Sequence, residues 1–546
     1  MRASITDPQD GGGVAAGRRW WILAVLCLSL LVIGLDNTIL NVALPTLVRD
    51  LGASDSQLQW IVDAYILVFA SLLLTCGSLS DRFGRRRALG IGLLVFGTGS
   101  VASAFASSAS ALIGTRAMMG AGAALIMPPT LSILTNTFPE RERGRAIGIW
   151  AGVMGLGIGI GPLVGGWLLT HFWWGSVFLV NVPVVIVAIV AGRLIVPESR
   201  DPSAPPLDPV GLILSVVGLV SLVYAIIEAP SHGWTDPVIL ASFTLAGIVL
   251  TCFVLWELAS DHPMLNVRFF ENPRFSASNV AVTLVFFALL GSLFMLTQYL
   301  QFVLGYTPLQ AGVRITPVAI VMIVVAPLAG LLVRPLGNKV LVTLGLVVVA
   351  SGLVLLSRTT VTDRYLDVLP RFVVLVIGMS LAMTPATESI MGAIPKEKAG
   401  IGSAMNDTTR QVGGALGVAV IGSIFSSAYG SGFGRSLAVA PAPVASEIRS
   451  SVGGALAVAK AIGGSTGVAL AHLADASFIH AMDRALGIAA LVALGGAIVA
   501  LVWLPNRARV PVGALRTPRM SGGARETAAS RDTIDVNLAP SRDADS

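Results

Sequence analysis

The 546-residue sequence predicts an all-α polytopic membrane protein of fourteen spanning helices, built as two six-helix bundles with a two-helix insert between them. Composition is the first observation behind this. Hydrophobic residues make up 54% of the chain, charged residues 12%, and mean hydropathy is +0.81. A soluble protein carries roughly twice that charge fraction. The apolar residues, about 295 in all, would fill about fourteen helices at roughly 20 residues per crossing. The second observation is that apolar runs bounded by charge, Gly or Pro recur along the chain. The third is internal repetition. Gly77-Ser-Leu-Ser-Asp81-Arg82-Phe-Gly84-Arg85-Arg86 has a faint copy at Gly330-Leu-Leu-Val-Arg334-Pro335-Leu-Gly337-Asn338-Lys339, and Pro139-Glu-Arg-Glu-Arg-Gly recurs as Pro395-Lys-Glu-Lys-Ala-Gly. The offsets, 253 and 256 residues, nearly agree and so mark two related halves.

The runs follow in order. Arg18 and Arg19 before an apolar stretch from Trp20 imitate a signal peptide, but the stretch continues to Pro45 with no small-residue cleavage site, so it reads as an uncleaved first span, 20–45. Spans are then expected at 59–79, 88–107, 109–134, 146–170 and 176–196, completing the first half. A pair follows at 209–228 and 237–257. The second half takes 277–302, 311–333, 340–358, 367–391, 401–426 and 484–504. The expected organisation is a head at 1–18, a first bundle at 19–197, a linker with two extra helices at 198–275, a second bundle at 276–504 and a tail at 505–546. Within the second bundle, 427–483 is Ala/Gly/Ser-rich and reads as an extracytoplasmic loop with little to build a core, though able to hold a surface helix. The polar, Arg-rich tail is expected to be disordered.

An even number of spans puts both termini on one side. With both inside, the cytoplasmic segments hold Arg82 and Arg85 to Arg87, Arg141, Arg143 and Arg145, Arg193 and Arg200, Arg268 and Arg274, Arg334 and Lys339, and Lys396 and Lys398. The opposite orientation leaves the short cytoplasmic loops almost bare, so both termini are expected in the cytoplasm and the chain in a bacterial cell membrane. The same scatter of basic residues into short clusters argues against nucleic acid as a partner, despite a pI near 9.5. Cys27, Cys76 and Cys252 fall in spans without metal-ligand spacing and read as small core residues. There is no G-x-x-x-x-G-K-[ST] phosphate loop, which leaves an ion gradient as the drive. Gly463-Gly-Ser465-Thr-Gly467 matches a nucleophile-elbow pattern but lacks its strand-turn-helix setting, and no histidine forms an H-E-x-x-H pair. No catalytic residue, metal or cofactor is expected, and the chain is not read as an enzyme. Repeated halves instead are the build of a secondary transporter with its site between them.

Four motifs resemble the major facilitator superfamily, and within it the fourteen-helix drug:proton antiporters of the EmrB/QacA type. They are Gly77-x-Leu79-x-Asp81-Arg82-x-Gly84-Arg85-Arg86-Arg87 between the second and third spans; Leu35-Asp36-x-Thr38-Ile39-x-Asn41-Val42-Ala43-Leu44-Pro45 in the first; Arg116 with Gly120 and Gly122 in the fourth; and Gly148-x8-Gly157-x3-Gly161-Pro162-x2-Gly165-Gly166 in the fifth, which is similar to the antiporter signature. Tyr299-Leu300-Gln301, Leu304-Gly305-Tyr306 and Arg410-Gln411-Val412-Gly413-Gly414 extend the likeness over nearly the whole chain. In the second copy of the loop motif Arg334 stands where the acid is expected, so no second latch is expected there.

The few charges inside spans are the site candidates, because a charge in the bilayer costs about 2.5–3.5 kcal/mol on insertion scales. Asp36 is either a coupling acid, as the resemblance implies, or a hydrated acid near the outer end of its helix. Asp63, after Trp60 and before Tyr65, either faces a cavity, where a carboxylate beside aromatic rings suits a lipophilic cation, or is a helix-start acid in water. Arg116 cannot release a proton and either tunes an acid or forms a structural pair. Asp407 has the same double reading as Asp63, or else simply pairs with Arg410 one turn on, and Glu388 is a further candidate near the inner mouth. The helix-five glycines permit close packing while Pro162 bends the helix. Asp81, Arg82, Arg85 and Arg86 on a tight turn at Gly77 to Gly84 suit either a gate latch or topogenic charge.

The expected function is proton-coupled efflux of hydrophobic, often cationic small molecules by alternating access, by a monomer in the lipid bilayer. The alternatives are an exporter dedicated to one endogenous metabolite, to which 32 Arg against 4 Lys and the high-GC genome they imply lend weight, and a non-transporting receptor or enzyme.

Overall fold

The computed structural model describes residues 16–200, 208–261, 263, 265, 267–393, 399–433, 437 and 440–505, which lie in one compact unit. Helices dominate, and no strand occurs among the described residues. The first half comprises α1 (Ala16–Leu51), α2 (Asp55–Phe83), α3 (Arg85–Ala104), α4 (Ala109–Thr137), α5 (Glu140–His171) and α6 (Ser176–Ile195). The insert is α7 (Pro209–His232) and α8 (Pro237–Ala259). The second half follows as α9 (Pro273–Gln298, continued by a π turn, Tyr299–Val303), α10 (Pro308–Val333), α11 (Pro335–Ser357), α12 (Tyr365–Gly392), α13 (Ala399–Gly432), the short α14 (Ala442–Ser450) and α15 (Val452–Ile462), and α16 (Gly464–Trp503).

Thirteen of these helices are long and apolar enough to cross a membrane. The remaining expected span, 146–170, lies in α5, whose 32 residues reach about 48 Å. Caps set many of the boundaries. At α2, Ser54 Oγ accepts from Gln57 N while Gln57 Oε1 accepts from Ser54 N, and Thr307 and Gln310 repeat the arrangement at α10. Asp208 and Asp236 cap α7 and α8 ahead of a proline in the first turn. Gly337, at φ 79°, kinks the chain just inside the start of α11, a conformation that a side chain would oppose.

Small residues bring the helices together. A Cβ at Gly122 would meet the Phe96 backbone, joining α4 to α3, and one at Gly352 or Gly378 would meet α12 or α11 respectively. Gly413 and Gly417 do the same for α13 on α9, at Thr283 and Phe287. The halves meet where α5 packs on α10 and α2 on α13. α7 lies against both α2 and α13, whereas α8 packs chiefly on α7 and buries only Ile239, Ala246 and Glu257.

The structure corrects several expectations. The segment 427–483 is largely helical rather than a loop: α13 continues to Gly432 and α16 begins at Gly464, twenty residues before the expected span. Ala474, Phe478, Ala481 and Met482 form a buried stripe there at helical spacing, and Phe478 packs edge-on against Phe425 at 4.9 Å. Asp475, Asp483 and Arg484 punctuate that stripe, which is why hydropathy hides it. Cys252 is exposed on α8, unlike buried Cys27 and Cys76. Residues 16–18, assigned to the head, are already helical. The rest of the head, the tail from 506 and the loop lysines Lys396 and Lys398 lie outside the described residues.

Candidate functional site

Three helices converge on Arg116. α1 brings Asp36, whose Oδ2 accepts from Arg116 Nη1 at 2.6 Å. α2 brings the Ile61 carbonyl, which accepts from Arg116 Nε at 3.1 Å, and the Tyr65 ring, whose centroid lies 4.4 Å from the guanidinium carbon. The approach of α4 to α2 depends on Gly120, since a Cβ there would press into the Tyr65 carbonyl. Asp36 is 0% and Arg116 1% exposed, so the pair is fully withdrawn from water. The hydrated-acid reading of Asp36 is therefore set aside. An ion pair so buried resists loss of either partner, because the survivor would be an uncompensated charge.

Asp63 lies two residues beyond Ile61. It is 0% exposed, and neither carboxylate oxygen has a hydrogen-bond partner among the described residues. Its reading as a helix-start acid in water is likewise set aside.

The glycine signature of α5 packs on the stretch of α1 that carries Asp36. A Cβ at Gly157 would meet Gly34 and Leu35, one at Gly161 would overlap Thr38 Oγ1, and one at Gly165 would meet Ile39. On its other side α5 meets α10, with Gly166 against Pro308 and Leu309 and the Pro162 carbonyl against Gly312. The signature thus joins the acid-bearing helix to the second half. Gly148 is different, with nothing within 4 Å of a Cβ placed there.

The remaining candidates lie elsewhere. Asp407 Oδ1 is 3.5 Å from Arg410 Nη1, and Arg410 sits over the Phe286 ring at 5.6 Å, so this pair belongs to α13 and α9. Glu388 is exposed near the end of α12. In the α2–α3 loop, Asp81 pairs with Arg85 at 2.7 Å, and Gly77 is in ordinary contact with Pro128. Arg82 lies over the neighbouring Phe83 ring at 5.9 Å.

Sequence reasoning missed the partner of Arg86 and Arg87, which is Glu198 just past α6. Glu198 lies 3.5 and 3.6 Å from the two guanidinium groups and accepts from the Arg86 amide at 3.0 Å. Gly84, at φ 115°, has room only for hydrogen beside that carboxylate. On the opposite face, Gln301 Nε2 donates to the Val42 carbonyl at 2.8 Å, tying the second half to α1. No group of three His, Cys, Asp or Glu suited to a metal occurs among the described residues.

A family model described as the Major Facilitator Superfamily matches residues 26–418. The chain is 38% identical over 485 residues to the multidrug efflux pump LfrA of Mycolicibacterium smegmatis, covering 88% of this chain and 95% of that protein. It is 34% identical over 493 residues to the tetracenomycin C resistance and export protein of Streptomyces glaucescens, covering 89% and 91%. It is also 34% identical over 470 residues to the methyl viologen resistance protein SmvA of Salmonella typhimurium, covering 86% and 95%. Among solved structures it is similar to a bacterial homolog of the human lysosomal transporter Spinster, at 19% identity and a TM-score of 0.67, over 90% of this chain and 99% of that one.

Proposed function

The chain belongs to the Major Facilitator Superfamily, and on that premise we propose that it is a proton-coupled antiporter that exports hydrophobic, often cationic compounds by alternating access. The observation that carries this is Asp63, a carboxylate fully buried among helices with neither oxygen partnered among the described residues. One carboxylate can hold a proton or face a cation, not both. A proton arriving from one side and a lipophilic cation from the other therefore compete for it, and competition at a shared group is what makes exchange obligatory. The neighbouring Tyr65 ring supplies the aromatic face that such a cation favours. Asp36 and Arg116 tie α1, α2 and α4 together beside it, so a change of charge at Asp63 is felt by three helices of the first half. Asp407, paired with Arg410, plays the corresponding part in the second half, and Glu388 lines the inner mouth.

The face carrying Arg18, Arg85 to Arg87 and Glu198 is cytoplasmic in this reading, as the positive-inside rule requires. There the Asp81, Arg85, Arg86 and Glu198 cluster acts as the inner latch. The protein works as a monomer in the bacterial cell membrane, uses the proton gradient and needs no cofactor.

Reconstituted into liposomes that enclose a pH-sensitive dye, the protein is expected to move protons when tetraphenylphosphonium or methyl viologen is added, and Asp63→Asn to stop it. Absence of substrate-dependent proton movement, or full cation transport by Asp63→Asn, would overturn the reading. The likeness to a tetracenomycin exporter supports a second reading, export of one metabolite. Mutual competition between two structurally unrelated cations excludes it.

A further inference from the structure

Asp63 is the innermost of three buried polar residues on one face of α2. Asp55, Gln59 and Asp63 stand four residues apart, which places them on one helical stripe about 6 Å from one to the next. Asp55 is 3% and Gln59 0% exposed, and both carboxyl oxygens of Asp55 and both amide atoms of Gln59, like those of Asp63, have no hydrogen-bond partner among the described residues. Further along the same face come Ile66 and Ala70, so the polar stripe runs from the outer end of α2 down to Asp63 and stops.

α13 roofs the stripe. Gln59 lies against Gly422, where a Cβ would come within 2.6 Å of its Cδ. Two turns towards the outer end, Tyr429 is 0% exposed, its hydroxyl also without a partner among the described residues, and it lies within electrostatic reach of Asp55 and of Asp475 on α16. Asp475 is only partly buried and faces His472. The other charged neighbours of this part of α2 bond to groups outside the stripe: Glu228 of α7 accepts from Ser56 and Trp60 of α2, and Arg116 of α4 holds Asp36 of α1.

Buried polar atoms without partners carry a penalty that bound water removes. Steps of about 6 Å are too long for a direct hydrogen bond but suit one bridging water each. We propose that the Asp55–Gln59–Asp63 stripe, closed over by Gly422 and Tyr429, is a water-bridged route by which protons pass between the outer solution and Asp63. A proton leaves the Asp55 carboxyl for a first water, which hands one of its own protons directly to a second water beside it, and the second water gives one to an Asp63 oxygen, while Asp55 takes its replacement from outside. Gln59 is a positioning residue: its Oε1 accepts from the first water and its Nε2 donates to the second, holding the two in contact, and the amide itself passes no proton. The route extends the proposed proton coupling and rests on it.

The test separates net transport from exchange. Substrate-for-substrate exchange needs no proton, whereas net export does. In proteoliposomes with tetraphenylphosphonium, Gln59→Leu is expected to cut proton-driven transport by about tenfold, the scale of one lost hydrogen-bonding station, while equal-pH exchange falls less than about threefold. Gln59→Glu, which keeps a polar station, is expected to retain most of the net rate. Gly422→Ala blocks the same route from the opposite helix and is expected to reproduce the split; it decides the matter if Gln59→Leu does not fold. Equal loss of net transport and exchange would assign these residues a structural role and overturn the route, as would wild-type rates in both variants. If the unaltered protein moves no protons at all, the proposed function fails instead.

Discussion

Arg116 is held by one carboxylate, one carbonyl and one aromatic ring, and the pair is buried from bulk solvent. Arg116→Gln or Asp36→Asn, each leaving one charge buried alone, is expected to lower stability by about 3–5 kcal/mol, and the double variant to recover part of that. Thermal unfolding in detergent, run as a double-mutant cycle, checks this, and single variants that melt with the unaltered protein would refute it. Asp36, Asp63 and Arg116 were legible from sequence because a charge within an apolar run stands out. Their opposite fates were not. Nothing local says that Asp36 meets an arginine 80 residues away while Asp63 meets no partner among the described residues. Glu198 was illegible for the converse reason, since an acid in a polar loop is unremarked until its partners are seen.

At the scale of elements, α5 shows that a motif and the packing it serves are not identical. Gly161 and Gly165 face α1 with no room for a methyl group, Gly157 faces it tightly, and a Cβ at Gly148 would meet nothing within 4 Å. Gly161→Ala is expected to cost about 1–3 kcal/mol by overpacking and to slow transport, whereas Gly148→Ala is expected to leave both unchanged. Expression level, melting temperature and transport rate of the two variants check this. The loop between α11 and α12 carries a different kind of constraint. Burial acts to raise the Asp363 carboxyl, but the Thr360 hydroxyl at 2.9 Å, the Thr360 amide at 3.2 Å and Arg371 Nη1 at 2.6 Å outweigh it and hold the carboxyl below its ordinary range. A carboxyl lower in the folded than in the unfolded state stabilises above the unfolded value, about 3.9, and that stabilisation is lost as pH falls through the folded one. Between neutral pH and about pH 3 the unaltered protein is thus expected to lose more melting temperature than Asp363→Asn. Equal slopes would show that the loop bonds add nothing. α16 marks the limit of sequence reading at this scale: its first twenty residues mix charges into an alanine-rich helix, so hydropathy alone could not separate them from a loop.

For the whole molecule, the two halves touch on the face opposite Glu198, the outer one in the proposed orientation, at Gln301 with Val42 and where Gly453 of α15 packs on Val48 of α1 and Phe302 after α9. Outward opening must part these contacts. In a Cys252→Ser background, oxidising Val48→Cys together with Gly453→Cys is expected to reduce transport at least roughly tenfold, with recovery on reduction. Undiminished transport by the cross-linked protein would show that this face need not open.

The sequence by itself determined the class, the repeated halves, the helices to within a few residues at most ends and the handful of intramembrane charges. These follow from composition and from local length, because a bilayer accepts only long apolar segments whose backbone satisfies itself. The tertiary structure decided which charges are paired, which glycines are crowded and which polar stripes are roofed. Those properties depend on the angle and depth at which distant helices cross, and a hydropathy pattern repeating along one helix carries no record of its neighbour.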